Sequence, residues 1–382
     1  MEPYSGQQFR KMSVSPQPTK QNSSIEVNIM KKNSFCGNEI SLLGMGNMRL
    51  PTGEDGKIDF DRAAAIIDRL YNNGVNYYDT AYVYHGGESE SFVGAALKKY
   101  PRESFHVATK FNCRANPDFK AVFEEQLKRL DMDNIDYYLL HAIGDSTVDT
   151  YLTNGCVEFF REQKRLGRIR HLGFSFHASL ETMRKVLDFG GWDFAQIQLN
   201  YLDWLLHDAK AQYDMLTDAG LPVIVMEPVR GGRLATLTDE TEAQLKAVHP
   251  DWLIPSWAFR FLMRLENVKL ILSGMSTVEQ ADDNIRTFSD AEPLNDEDTE
   301  LLFKVCHEFK KQISAPCTAC RYCTDGCPME IDIPVMIEIY NKFKLNGKFA
   351  AKAIEKHEHN AKDCISCGAC TEHCPQSIDF PQ

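Results

Sequence analysis

The chain has 382 residues, 43% of them hydrophobic, and a formal net charge of −12 at neutral pH. That is enough for one large domain and a small one, and too acidic, with no long Lys/Arg run, to offer a footprint for nucleic acid or an anionic membrane. No stretch reaches the roughly 18 apolar residues of a membrane span, and MEPYSGQQFRKMSVSPQPTKQNSS lacks the apolar segment of a signal peptide, so a cytoplasmic protein is expected.

Residues 1–35 are polar, rich in Ser, Gln and Pro, and without apolar period, which predicts a flexible N-terminal arm. From Ile40 short apolar runs alternate with longer amphipathic ones. The predicted strands are Ser41–Gly44, Asn76–Tyr78, His106–Thr109, Tyr137–Leu140, Ile169–Gly173, Ala195–Gln198, Val223–Met226 and Lys269–Leu272. Helical windows such as Asp61–Asn73, Asp118–Leu130 and Glu158–Leu166 lie between them. Eight strand–helix rounds make an α/β chain with a (β/α)8 TIM barrel over residues 36–295. An open doubly wound sheet would carry a glycine fingerprint after its first strand; LGMGNMRLP has neither the third glycine nor a following helix.

Function in such barrels sits where strands end at the C-terminal face. The second strand runs into NYYDTAYVYHGGESE, placing Asp79 at the mouth and Tyr84 in the loop; the third ends in Lys110 and the fourth in His141. Each alone reads as a structural ion pair, loop cover or strand cap. Together they carry a mechanism: Lys110 beside Tyr84 is expected to lower the phenol from its usual value of about 10, with Asp79 neutralising the lysine. A neutral His141 would then hold a carbonyl oxygen while Tyr84 delivers the proton and a hydride reaches the carbon. A lysine at a strand end also fits a Schiff-base aldolase, which borohydride trapping on Lys110 would reveal.

With DTAYVYHGGESE, Lys110 and His141 in place, the sequence from about Leu42 to Asn284 resembles the aldo/keto reductase family. The resemblance implies a catalytic tetrad of Asp79, Tyr84, Lys110 and His141, with Tyr84 as the acid. It also implies that Ser175 in HLGFSFH meets the nicotinamide amide, next to Phe176 where many members carry Asn, and that Gln198 in QIQLNYLD is the strand-six contact. ILSGMSTVEQADDNI is similar to the segment that grips the adenosine phosphates, implying contacts from Gly274, Ser276, Thr277, Gln280 and Asn284. Gln280 stands where many members have a base for the 2′-phosphate, so the implied cofactor is NADP or NAD, with Arg286 or Arg230 as substitutes. MEPVRGGRL resembles the loop over the cofactor. Arg49 and Arg230 are expected to face the substrate pocket and favour an acidic carbonyl compound.

Residues 296–382 begin with a helical window, Glu297–Ile313, and continue into two copies of one pattern: Cys317, Cys320, Cys323, Cys327-Pro and Cys364, Cys367, Cys370, Cys374-Pro. Structural zinc favours paired CxxC knuckles, not this spacing with its trailing proline. The runs resemble a bacterial ferredoxin with two [4Fe-4S] clusters in a small, mainly helical domain. By that resemblance Cys317, Cys320, Cys323 and Cys374 hold one cluster, and Cys364, Cys367, Cys370 and Cys327 the other. The insert between the runs, with helical windows Val335–Phe343 and Lys348–His359, must then fold back on itself. The other four cysteines, Cys36, Cys113, Cys156 and Cys306, are scattered, which fits a reducing compartment.

These readings predict an NAD(P)H-dependent oxidoreductase that interconverts a small aldehyde or ketone and its alcohol, with clusters that exchange electrons with a redox partner protein, cover the barrel as structure, or sense redox state or oxygen. Clusters move single electrons and a nicotinamide moves two, so direct coupling is unfavourable, and the sequence carries no flavin signature to bridge them. The alternative is an iron-sulfur electron-transfer protein whose barrel is a scaffold for a partner or cofactor.

Overall fold

The computed structural model describes residues 30–380 apart from 207, 312–313, 325, 347–350, 375 and 377. Positions 1–29 of the expected arm, the end of the window Glu297–Ile313, the start of Lys348–His359 and the proline after Cys374 lie outside the described residues. The remainder of the arm is not free chain: β1 (Lys32–Phe35) and β2 (Asn38–Ser41) form an antiparallel hairpin. Cys36 and Gly37 turn it with φ of 49° and 78°, the left-handed pair that a two-residue turn needs to match strand twist.

The barrel follows as β3 (Leu43–Gly46), β4 (Tyr77–Asp79), β5 (His106–Phe111), β6 (Ile135–Ile143), β7 (Ile169–Phe176), β8 (Phe194–Gln198), β9 (Val223–Met226) and β10 (Val268–Ser273). All eight are parallel and close in the order β10-β3-β4-β5-β6-β7-β8-β9. The expected first strand, Ser41–Gly44, straddles the end of the hairpin and the start of β3.

Alternation along the strands divides the apolar residues into two clusters. Val107, Phe111, Tyr138 and Leu140 point outward to the helices. One such helix, Phe119–Leu130, is capped by Asp118, whose carboxylate accepts from the Ala121 N–H at 3.0 Å, and it buries Val122, Phe123, Leu127 and Leu130. Tyr77, Ala108, Tyr137, Leu139, Phe194, Ile224 and Leu270 point inward, where Phe35 and Ile40 of the hairpin join them. Phe35 stacks on Tyr137 with centroids 5.2 Å apart and meets Phe194 edge-on at 5.7 Å, so the hairpin stoppers the N-terminal end. The same period of two then carries Asp79, Lys110 and His141 onto the inner face above this filling.

Helix Asp296–Lys310 buries Leu302, Val305 and Cys306 in the barrel's own core. The tail contains helices Ile333–Asn346, Ala351–Ile354 and Ala369–His373 around a small core of Cys317, Cys323, Ile331, Ile333 and Ile337. It lies across the catalytic mouth. Among the described residues no helix is long and apolar enough to cross a membrane.

Candidate active site

Lys110 Nζ donates to Asp79 Oδ1 at 2.5 Å and to the Thr80 carbonyl at 2.7 Å, and both side chains of the ion pair are buried. The ammonium lies 5.0 Å from the centroid of the Tyr84 ring. Tyr84 meets His141 edge-on, with centroids 5.7 Å apart. The four residues expected from three strand ends are thus gathered into one cluster.

Their electrostatics differ from the expectation in one respect. The Tyr84 phenol is not lowered: burial, joined by Tyr322, Asp79 and Glu227, pushes it well above its usual 10. Lys110 donates its hydrogen bonds to Asp79 and the Thr80 carbonyl. Tyr84 therefore keeps its proton at neutral pH. Burial, reinforced by Lys110 and His177, holds His141 well below 6.5, so its ring is neutral. Within the ion pair burial draws Lys110 down and Asp79 up, each opposed by the partner's charge.

A cavity of about 400 Å3 runs from Asp79 and Tyr84 past Ser175 and Gln198 to Ser276, Gln280 and Asn284. Ser175 Oγ accepts from the Ala142 N–H at 2.7 Å. Gln198 lines the cavity, but its amide donates to Asp203 at 2.7 Å and its oxygen accepts from Gln376 at 2.8 Å. Gln196, two residues earlier on the same face and in register with Ser175, is buried and keeps an unpartnered carbonyl oxygen. Sequence reasoning missed it, because parity alone does not separate Gln196 from Gln198.

At the far end Thr277 caps helix Val278–Asp290 by accepting from the Gln280 N–H at 3.3 Å. The Gln280 side chain accepts from the Ser276 N–H at 2.8 Å, Ser276 Oγ donates to the Arg49 carbonyl at 2.7 Å, and Asn284 donates to Ser273 Oγ at 2.6 Å. Gly274 lines the same cavity. A dinucleotide fits this donor set: orphaned amide oxygen at one end, helix N-terminus at the other.

Of the two arginines expected to face the substrate pocket, Arg49 lines the cavity, and both also bind the tail. Arg230 is fully buried, donates to Asp203 at 2.9 Å and reaches the Pro316 carbonyl at 3.0 Å. Arg49 is 3.5 Å from Glu227 and 3.4 Å from the Thr318 carbonyl. Both hold the backbone of the first cysteine run against the barrel. Gly231 explains how close that backbone comes: at φ 65° a Cβ there would stand 1.8 Å from the Thr318 oxygen. Arg114 adds a bond to the Glu372 carbonyl at 2.9 Å.

This docking brings in a residue that sequence reasoning did not single out. Tyr322, half-buried between Cys320 and Cys323, puts its hydroxyl 3.4 Å from His141 Nε2 and against the Tyr84 hydroxyl. The signal available was its place inside the cysteine run.

The cysteine runs repeat each other in conformation as well as spacing. Ala319 and Ser366, two residues after the first cysteine of each run, have φ of 54°, and their N–H groups donate to Cys317 and Cys364 sulfur at 3.3 and 3.4 Å. Arg321 and Gly368, two further on, have φ of 68° and 79°. Cys327, Cys364, Cys367 and Cys370 line one cavity of about 840 Å3. Cys323 lies among Cys320, Cys317 and Cys374. Burial, with neighbouring sulfurs adding to it, pushes the Cys323 thiol up to about 12; burial raises Cys320 to about 11. Sulfurs grouped in this way could ligate iron only as thiolates, which a cationic centre would favour. Among the described residues no three Cys, His or carboxylate groups converge on a site for a single metal ion.

A closed parallel barrel thus gathers a phenol, an ammonium, a carboxylate and an imidazole at its C-terminal mouth, where barrel enzymes place their chemistry. Residues 42–305 match the aldo/keto reductase family and residues 316–378 match the 4Fe-4S dicluster domain. The chain belongs to the aldo/keto reductase family and carries a C-terminal 4Fe-4S ferredoxin domain. It is 29% identical over 229 residues to "Probable aldo-keto reductase 1" of Glycine max, covering 56% of this chain and 64% of that protein. It is 26% identical over 332 residues to the NADH-specific methylglyoxal reductase of Escherichia coli strain K12, covering 74% of this chain and 100% of that one. The holo form of an aldo-keto reductase from Bacillus halodurans superposes with a TM-score of 0.61 at 26% identity, over 72% of this chain and 96% of that one.

Proposed function

We propose that the protein is an NAD(P)H-dependent reductase of small aldehydes or ketones, working through Tyr84, His141, Lys110 and Asp79. The observation that carries this reading is the convergence of Asp79, Tyr84 and His141 at one end of the cavity, with the buried Lys110 paired to Asp79 beside them. The nicotinamide, when bound, supplies the hydride. Neutral His141 holds the substrate oxygen, and Tyr84, protonated because it is buried, gives that oxygen its proton as the carbon is reduced. The phenolate left behind is stabilised by the Lys110 ammonium at its ring, and Asp79 keeps the ammonium in place. Ser175 and Gln196 offer a hydroxyl and an amide to the carboxamide of the cofactor, while Gly274, Ser276, Thr277, Gln280 and Asn284 form the phosphate end.

In the tail we assign two [4Fe-4S] clusters with crossed ligands, Cys317, Cys320, Cys323 and Cys374 for the first, Cys364, Cys367, Cys370 and Cys327 for the second. The clusters, when present, supply one-electron transfer to a partner protein or close the barrel mouth. The test is Tyr84→Phe in anaerobically prepared protein: NAD(P)H-linked aldehyde reduction should fall by about 10²-fold or more, with the cluster absorbance intact. Turnover that survives the change would leave the barrel as a scaffold for an electron-transfer protein.

A further inference from the structure

Tyr322 is carried by the cysteine run, yet its hydroxyl stands among the catalytic groups, 3.4 Å from His141 Nε2 and in contact with the Tyr84 hydroxyl. Under the reading above, a substrate oxygen has to lie within reach of the same two groups, because one orients it and the other protonates it. The Tyr322 oxygen occupies that position.

The cavities on either side support this placement. His141, His177 and Tyr322 form a shared wall between the cofactor cleft and a second chamber of about 740 Å3. The barrel loop around Asp145 and the tail around Glu372 and Cys374 enclose that chamber. Moving the Tyr322 side chain aside would open the chamber to the catalytic groups.

The backbone on which Tyr322 rides has little freedom. Arg230 and Arg49 fix the carbonyls of Pro316 and Thr318, and Arg321 is paired with Asp332 at 2.9 Å. Cys323 follows Tyr322 directly, and Cys320 precedes it by two residues. Displacing the ring therefore alters the packing beside two of the first cluster's ligands, on a loop that cannot move away to absorb it.

We infer that Tyr322 is a specificity-determining residue that holds the place of the substrate oxygen, so that carbonyl binding and the geometry of the first cysteine run form one linked equilibrium. This rests on the proposed role of Tyr84 and His141. A carbonyl compound must displace the hydroxyl before it binds, which lowers its apparent affinity by the fraction of molecules in which the site is clear. By reciprocity, a carbonyl that binds biases the loop around Cys320 and Cys323.

The test uses the cluster-loaded full chain, Tyr322→Phe, and 4-nitrobenzaldehyde as the probe. Removing the hydroxyl should lower KM for the aldehyde by about three- to tenfold, with kcat changed less than twofold. A tenfold fall in kcat at unchanged KM would overturn the inference by making Tyr322 a proton donor. The second readout needs no turnover and uses benzaldehyde, which has no nitro group to take electrons: in wild-type protein photoreduced without dithionite or NAD(P)H, saturating benzaldehyde should change the EPR signal of one cluster, and in Tyr322→Phe that change should shrink. A wild-type signal indifferent to the aldehyde, in protein that reduces it, removes the linkage but leaves the roles of Tyr84 and His141 standing. A wild type that reduces no aldehyde, tested with Tyr322→Phe also inactive, defeats both.

Discussion

Lys110 presents one buried ammonium to three partners, the Asp79 carboxylate at 2.5 Å, the Thr80 carbonyl at 2.7 Å and the ring of Tyr84 at 5.0 Å. Removing either member of the ion pair leaves the other charge in the barrel without compensation. Lys110→Ala should destabilise the fold by about 3–5 kcal/mol in urea denaturation, whereas the double change Asp79→Asn, Lys110→Met should recover part of that loss. Equal stability of wild type and Lys110→Ala would mean that the pair is not buried in solution.

His177 offers a pH prediction. Burial lowers it from 6.5 to about 4, so the folded chain refuses a proton that the unfolded chain accepts. As pH falls from 6.5 towards 4 the unfolded state is therefore favoured, and above 6.5 the effect is absent. The urea midpoint of the wild type should drop more steeply between pH 7 and 4.5 than that of His177→Gln; parallel profiles would show that His177 titrates freely.

Two adjacent glycines separate backbone strain from contact. Gly231 and Gly232 have φ of 65° and 93°, but only at Gly231 would a Cβ strike the tail, whereas at Gly232 it meets nothing within 4 Å. Both alanine variants should carry about 1–2 kcal/mol of left-handed strain. Only Gly231→Ala should also loosen the first cysteine run, seen as lower iron content after anaerobic purification. Equal iron in the two variants would mean that the Thr318 contact does not hold the tail.

Gln280 sits in the first turn of helix Val278–Asp290, and Arg230 is committed to Asp203 and Pro316. With glutamine at 280 and Arg286 3.8 Å from Asp283, NADH should serve at least as well as NADPH. Gln280→Arg should raise the ratio of kcat/KM for NADPH over NADH by about tenfold, through a charge-assisted bond to the 2′-phosphate. An unchanged ratio would place the phosphate elsewhere.

Crossed ligation makes Cys327 belong with Cys364, Cys367 and Cys370, whose cavity it shares. Cys327→Ser and Cys364→Ser should therefore perturb the same EPR signal, and Cys317→Ser the other. If Cys327→Ser and Cys317→Ser altered one signal together, each run would hold its own cluster.

The barrel and its four central residues were legible because each lies at the end of an apolar run, where period two and strand order fix its direction. What escaped depended on partners distant in sequence. The hairpin has only four residues per strand and turns on Cys36-Gly37, too short for a periodic signal. Arg49 and Arg230 looked like rim charges until Thr318 and Pro316 arrived beside them. The direction of the Tyr84 shift was misjudged because proximity to Lys110 was weighed without burial, and burial is a property of the assembled fold.

Phe35 and Ile40 close the far end of the barrel. Substrate, product, nicotinamide and any electron-carrying partner must then share a single doorway, and the cysteine domain stands in it. A protein docked on the cluster face would shadow the route by which alcohol leaves. Aldehyde turnover measured with such a partner present should thus show inhibition of release, a traffic conflict that arises because the opposite exit is plugged.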